Sequence, residues 1–81
     1  MDLFNILISN GFKADRYGHS QREYKGTKFR MKVTRRGRNL RFERQIILSR
    51  GEKEWFAIWS KAKKSLDLEK LDAYLISYFG R

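Results

Sequence analysis

The chain has 81 residues, with 19 lysines and arginines against nine aspartates and glutamates, a formal net charge of +10, and neither cysteine nor proline. That length holds one small domain, residues 1–81, whose modest core leaves much of its surface in water. Disulfides and thiolate metal sites are excluded, the apolar runs are too short to cross a bilayer, and no charged-then-apolar leader opens the chain, so a soluble cytoplasmic protein without metal or cofactor is expected.

Asp2 is a plausible N-cap for a helix over about residues 2–10, with Leu3, Ile6 and Leu7 on one stripe and Asn10-Gly11 as its stop. Phe12 is expected to fold back onto the helix end. Tyr17, His19 and Gln21 then alternate with Gly18, Ser20 and Arg22, a pattern for a polar edge strand ending near Tyr24, and Lys25-Gly26-Thr27 turns into the next segment. From Lys28 to Leu48 the period of two is clear. Phe29, Met31 and Val33 oppose Lys28, Arg30, Lys32 and Thr34, and Leu40 and Phe42 oppose Arg41 and Glu43. With Val33 opposite Leu40 and Met31 opposite Phe42, a four-residue turn Arg35-Arg36-Gly37-Arg38 joins two strands, and a slip of one residue would expose the whole apolar side.

After Leu48 the spacing reads as helical. Ser49-Arg50-Gly51-Glu52 fits a capping box, and Trp55, Ile58, Trp59, Ala62 and Leu66 fall on one stripe, with Lys53 on the opposite face and Lys61, Lys63 and Lys64 toward the helix end. Ser65 or Asp67 can cap a last helix over about 67–79, with Leu68, Leu71 and Leu75 as its stripe and Gly80 as its stop. The expected fold is α+β in the order α-β-β-β-α-α: a three-stranded antiparallel meander with helices packed on one face, over Phe29, Met31, Val33, Leu40, Phe42, Ile46 and Leu48, and a basic open face.

The distribution of charge is the main functional signal. Residues 13–50 hold thirteen basic and three acidic side chains, whereas residues 1–12 and 51–81 are close to balance. A surplus confined to strands describes an electropositive face, and nucleic acid is the commonest intracellular polyanion. Lys28, Arg30, Lys32, Arg41 and Arg44 on the strands, and Arg35, Arg36, Arg38 and Asn39 at the turn, are therefore the candidate contact residues. Like charges at neighbouring strand positions cost stability when nothing binds them, and loop-tip arginines suit bidentate contact with phosphate or a guanine edge. The dull reading is a solvated surface.

Other chemistry is sparse. His19 is the only histidine; beside Ser20 it could act as a general base, but a polar edge residue is the simpler reading. Metal clusters, catalytic triads and phosphate-cradling glycine loops are absent from the sequence, so no enzymatic activity is expected. Exposed aromatics would favour single strands, yet Phe29, Phe42, Trp55, Trp59 and Phe79 fall on core stripes, leaving Tyr17, Tyr24 and Phe56.

Two stretches bear family resemblances. Residues 3–33, with Asn10-Gly11-Phe12, Gly18-His19-Ser20 and an alternating strand, resemble the opening of the HicA-type messenger-RNA interferase toxins, which implies a double-stranded-RNA-binding-like fold and ribonuclease activity through His19. In that family the histidine follows Gly-Ser, whereas here it follows Gly18 directly. Residues 29–55, with Arg36-Gly37-Arg38-Asn39-Leu40-Arg41 between strands, are similar to part of the PUR-type single-strand binders, which differ in strand number. Both imply a nucleic-acid ligand. The leading expectation is a small non-catalytic nucleic-acid-binding protein. The alternatives are an adaptor or inhibitor that docks an acidic protein surface, as in phages or mobile elements, and a HicA-like ribonuclease; membrane attachment ranks last.

Overall fold

The computed structural model describes residues 2–16, 19–34 and 36–80. Its elements run α1 (Leu3–Ser9), β1 (Lys13–Ala14), β2 (Ser20–Tyr24), β3 (Thr27–Thr34), β4 (Asn39–Ile47), β5 (Lys53–Ala62), a 3-10 turn at Lys63–Ser65, and α2 (Leu68–Phe79). The fold is α+β, but the antiparallel sheet has five strands instead of three, in the sequential order β1-β2-β3-β4-β5. Among the described residues, no helix is long and apolar enough to cross a membrane.

Local signals place the helices where the sequence expected them. The Asp2 carboxylate accepts from the Asn5 N–H at 2.8 Å, opening α1. At its other end the Phe12 N–H donates to the Leu7 carbonyl at 2.9 Å, which turns the Phe12 ring back into the core. Asp67, not Ser65, caps α2 through the Lys70 N–H, and Gly80 closes it. The central hairpin also has the expected register, Val33 opposite Leu40 and Met31 opposite Phe42, with Thr34 paired to Asn39 before the turn. The weak strand exists as β2, joined to β3 by the two-residue turn Lys25-Gly26, both at positive φ as a type I′ hairpin demands. Tyr17, on which that reading partly rested, lies outside the described residues.

The expected helix around Trp55 is a strand. Residues 49–52 form a hairpin turn and not a capping box: the Leu48 N–H donates to the Glu52 carbonyl and the Gly51 N–H to the Leu48 carbonyl, both at 2.8 Å, with Gly51 at φ +84°. That left-handed residue is a G1-type hairpin device and does not fit the first turn of a helix. Pairing with β5 also covers nine residues of β4 that a helix would leave as an open edge. Phe42 faces Trp59 and Glu43 faces Ala57, so Ile58 is an extra residue, a β-bulge. Trp55 and Trp59, which share a face at helical spacing, consequently point to opposite sides of the sheet.

The core lies between the helices and one face of β3 and β4, where Ile6, Leu7, Phe12, Phe29, Met31, Leu40, Phe42, Leu71, Leu75 and Phe79 are buried. Phe42, 0 % exposed, is its centre. Its ring lies 5.3 to 6.5 Å from those of Phe12, Phe29, Trp59, Tyr74, Tyr78 and Phe79, mostly edge to face. Val33, expected under the helices, is 46 % exposed because it sits at the turn end of the hairpin. Buried Asn10 ties the pieces together: its Nδ2 donates to the Ile6 carbonyl and to Asp72 Oδ1, and its own carbonyl accepts from Arg22.

Replacing Phe42 by alanine is expected to cost about 4 kcal/mol, and by leucine about 1 to 2 kcal/mol. In urea titration the alanine variant is expected to lose most of the cooperative transition, since a chain of this size commands only about 4 to 12 kcal/mol in all.

Candidate nucleic-acid interface

A strand sends alternate side chains to opposite faces, and directly paired residues share a face, so the register assigns every strand position. Opposite the core, β3 presents Lys28, Arg30, Lys32 and Thr34; β4 presents Asn39, Arg41, Glu43, Gln45 and Ile47; β5 presents Lys53, Trp55, Ala57, Ser60 and Ala62. Gln21 and Glu23 of β2, with Lys13 of β1, extend the same face. No element covers this side among the described residues.

At its middle lies a network that the sequence did not reveal. Glu43 is 2 % exposed although it points away from the core. It is covered by two guanidiniums: Arg30 Nε donates to Oε1 at 2.5 Å from the neighbouring strand, and Arg41 Nε lies 3.0 Å from Oε2 as an ion pair without hydrogen-bond alignment. A carboxylate withdrawn from water needs such partners, since an unpaired buried charge costs several kcal/mol. Ala57, directly opposite Glu43, presents only a methyl group, and the Arg30 guanidinium reaches across β4 to lie 4.2 Å from the centre of the Trp55 ring. Arginine, glutamate and tryptophan from three strands thus form one contiguous layer.

Around this layer the face carries several lysines and one further carboxylate, Glu23, which stands across the strand from Lys28. Among the described residues no ion pair engages Lys28, Lys32 or Lys53, and Lys32 stands directly opposite Arg41. At the end of the sheet, Arg36 and Arg38 occupy the β3–β4 turn. The Lys63 N–H donates to the Arg38 carbonyl at 2.8 Å, so the 3-10 turn brings Lys63 and Lys64 to the arginine turn, with Asn39 lining the same notch. Those two lysines were expected at a helix end; the strand geometry of β5 carries them instead to the other basic cluster.

Of the candidate residues, Lys28, Arg30, Lys32 and Arg41 share the open face, and Arg36, Arg38 and Asn39 adjoin it. Arg35 lies outside the described residues. Arg44 is on the other side, paired between Phe29 and Phe56 on the helix-covered face. It faces Tyr78, whose hydroxyl is pushed above its ordinary pKa by burial and by Tyr74, an effect that Arg44 partly offsets. Arg22 is likewise structural, its guanidinium 4.1 Å from the centre of the Phe79 ring. Tyr24 packs on Phe79, and Phe56 is exposed on the helix side. Trp55 is the residue that sequence reasoning misassigned, and the one signal for it was the continuous apolar run Trp55 to Trp59, which suits a strand as well as a helix.

His19 belongs to the β1–β2 loop. The Asp15 carboxylate accepts from the His19 N–H and from Gln21 Nε2, both at 2.9 Å, and the Asp15 N–H donates to the His19 carbonyl at 2.7 Å. His19 Nδ1 lies 3.8 Å from Asp15 Oδ2. The described residues contain no cluster of His, Cys, Asp or Glu fit to hold a metal. No family model, curated protein or solved structure matches the chain.

Glu43→Gln is expected to lower stability by about 2 kcal/mol, because the amide satisfies neither guanidinium as the carboxylate does. Differential scanning calorimetry reads this as a fall in Tm, and an unchanged Tm would show that the two ion pairs contribute nothing net.

Proposed function

We propose that this is a small, non-catalytic nucleic-acid-binding protein of the cytoplasm, which holds the phosphate backbone against the open face of its sheet and the Arg36 to Arg38 turn. The observation that carries the reading is the direct opposition of Lys32 and Arg41 on an uncovered face. Like charges facing each other across strands are unfavourable. Among the described residues no carboxylate lies within ion-pair distance of Lys32, and Glu43, two residues along the strand from Arg41, already serves two arginines. A polyanion lying over this site relieves the repulsion and recovers the counterion-release free energy of each phosphate contact.

The convergence of the arginine turn with Lys63 and Lys64 supports the same reading. Two segments far apart in sequence deliver cations to one end of the sheet, extending the tract that begins at Lys28. In this arrangement Lys28, Lys32, Arg36, Arg38, Lys63 and Lys64 serve as phosphate contacts, with Arg44 left on the far face. Arg30 and Arg41 share the one carboxylate of Glu43, so the pair keeps a single positive charge on this face.

The test is titration of labelled oligonucleotides at rising salt. The six phosphate contacts give a slope of log affinity on log salt of roughly −5 on duplex DNA and roughly −4 on single strands. Reversing Lys28 and Lys32 together to glutamate is expected to weaken binding at least tenfold for every sequence tried. Binding weaker than about millimolar to DNA and RNA alike at low salt overturns the reading, since even non-specific binders reach roughly 10⁻⁴ to 10⁻⁶ M at physiological salt.

A further inference from the structure

The open face is not uniformly basic, and its pattern points to one form of nucleic acid. At its centre, Glu43 offsets one of the two charges of Arg30 and Arg41, and the Arg30 guanidinium lies over the Trp55 ring, so that one net positive charge is combined with an aromatic surface. Beside Trp55 on β5 the exposed Ala57 and Ser60 keep the surface low. Lysines that form no ion pair among the described residues stand around this centre, at Lys28, Lys32 and Lys53, with Glu23 across the strand from Lys28. Such a centre offers a ring and a guanidinium on which the flat face of a base can stack, whereas the rim offers charge alone.

Dimensions decide between duplex and single strand. Five strands at about 4.8 Å spacing make a face about 19 Å across, wider than the roughly 12 Å major groove, so the sheet cannot enter a duplex as a two-stranded ribbon does. Laid on the outside of a duplex, it would meet phosphates only, because paired bases hide their faces in the stack. We propose that the ligand of this face is single-stranded nucleic acid, with one base stacked on the layer formed by Trp55 and the Arg30 guanidinium and the flanking phosphates held by Lys28, Lys32 and Lys53. This rests on the nucleic-acid reading above. Glu43 serves as a positioning residue, holding Arg30 over the ring.

The experiment compares a labelled single strand of about 15 thymidines, a length within the range that sheet-based single-strand sites cover, with a duplex of the same length. The single strand is expected to bind at least tenfold tighter. Trp55→Ala is expected to lose about tenfold or more on the single strand and little on the duplex, while Trp55→Phe, which keeps a ring, retains most of the affinity. For a readout on the native protein, a bromodeoxyuridine-substituted single strand is irradiated and the adduct mapped; it is expected on Trp55 and not on Trp59. Equal affinity for both forms, wild-type single-strand binding by a folded Trp55→Ala variant, or an adduct located elsewhere overturns the inference. If both forms bind equally with the expected salt slope, this inference falls and the nucleic-acid reading stands. If neither binds, both fall.

Discussion

The molecule turns on two consecutive residues of β4. Because a strand sends neighbours to opposite faces, Phe42 and Glu43 are committed to opposite environments by one backbone geometry. Phe42 is the hub of the aromatic core, touched by rings from α2, β3, β5 and the segment after α1. Glu43 is the hub of the other face, clasped by arginines from β3 and from its own strand. The bulge in β5 falls opposite this pair, so that Trp59 joins the core while Trp55 reaches the outer layer. Neither face could be assembled without the other, since a register shift of one residue would place the carboxylate in the aromatic cluster.

Burial of a carboxylate on an otherwise solvated sheet has a consequence for the surface around it. Glu43 offsets one of the two guanidinium charges that clasp it, and one of those guanidiniums lies over an indole ring. The face therefore separates into a middle where paired charge meets an aromatic ring and a rim of lysines, although the sequence counts all these arginines and lysines alike. Net charge describes how strongly such a protein attracts polyanions from a distance; the division of that charge into paired and unpaired groups decides where contact is made.

The basic side chains also do different kinds of work. Arg22 sits over Phe79 and donates to the Asn10 carbonyl, tying β2 to both helices, so its charge serves packing. Arg44 lies among Phe29, Phe56 and Tyr78 on the covered side. Lys63 and Lys64, distant in sequence from the basic middle of the chain, join the arginine turn through a backbone hydrogen bond.

By itself the sequence determined the α+β class, both terminal helices with the Asp2 cap of the first, and the register of the central hairpin, because each rests on signals close together in the chain; the choice of Asp67 over Ser65 as the second cap came from the structure. The fate of residues 52–64 was decided only by tertiary structure. An apolar run of five residues carries no usable period, and what chose strand over helix was the unpaired edge of β4 waiting beside it, together with the left-handed Gly51 in the connecting turn. The same decision moved Trp55 from core to surface and Lys63 and Lys64 to the arginine turn. Pairing between strands is a long-range choice, so the candidate site, whose side chains come from three strands, was legible in its charge and hidden in its geometry.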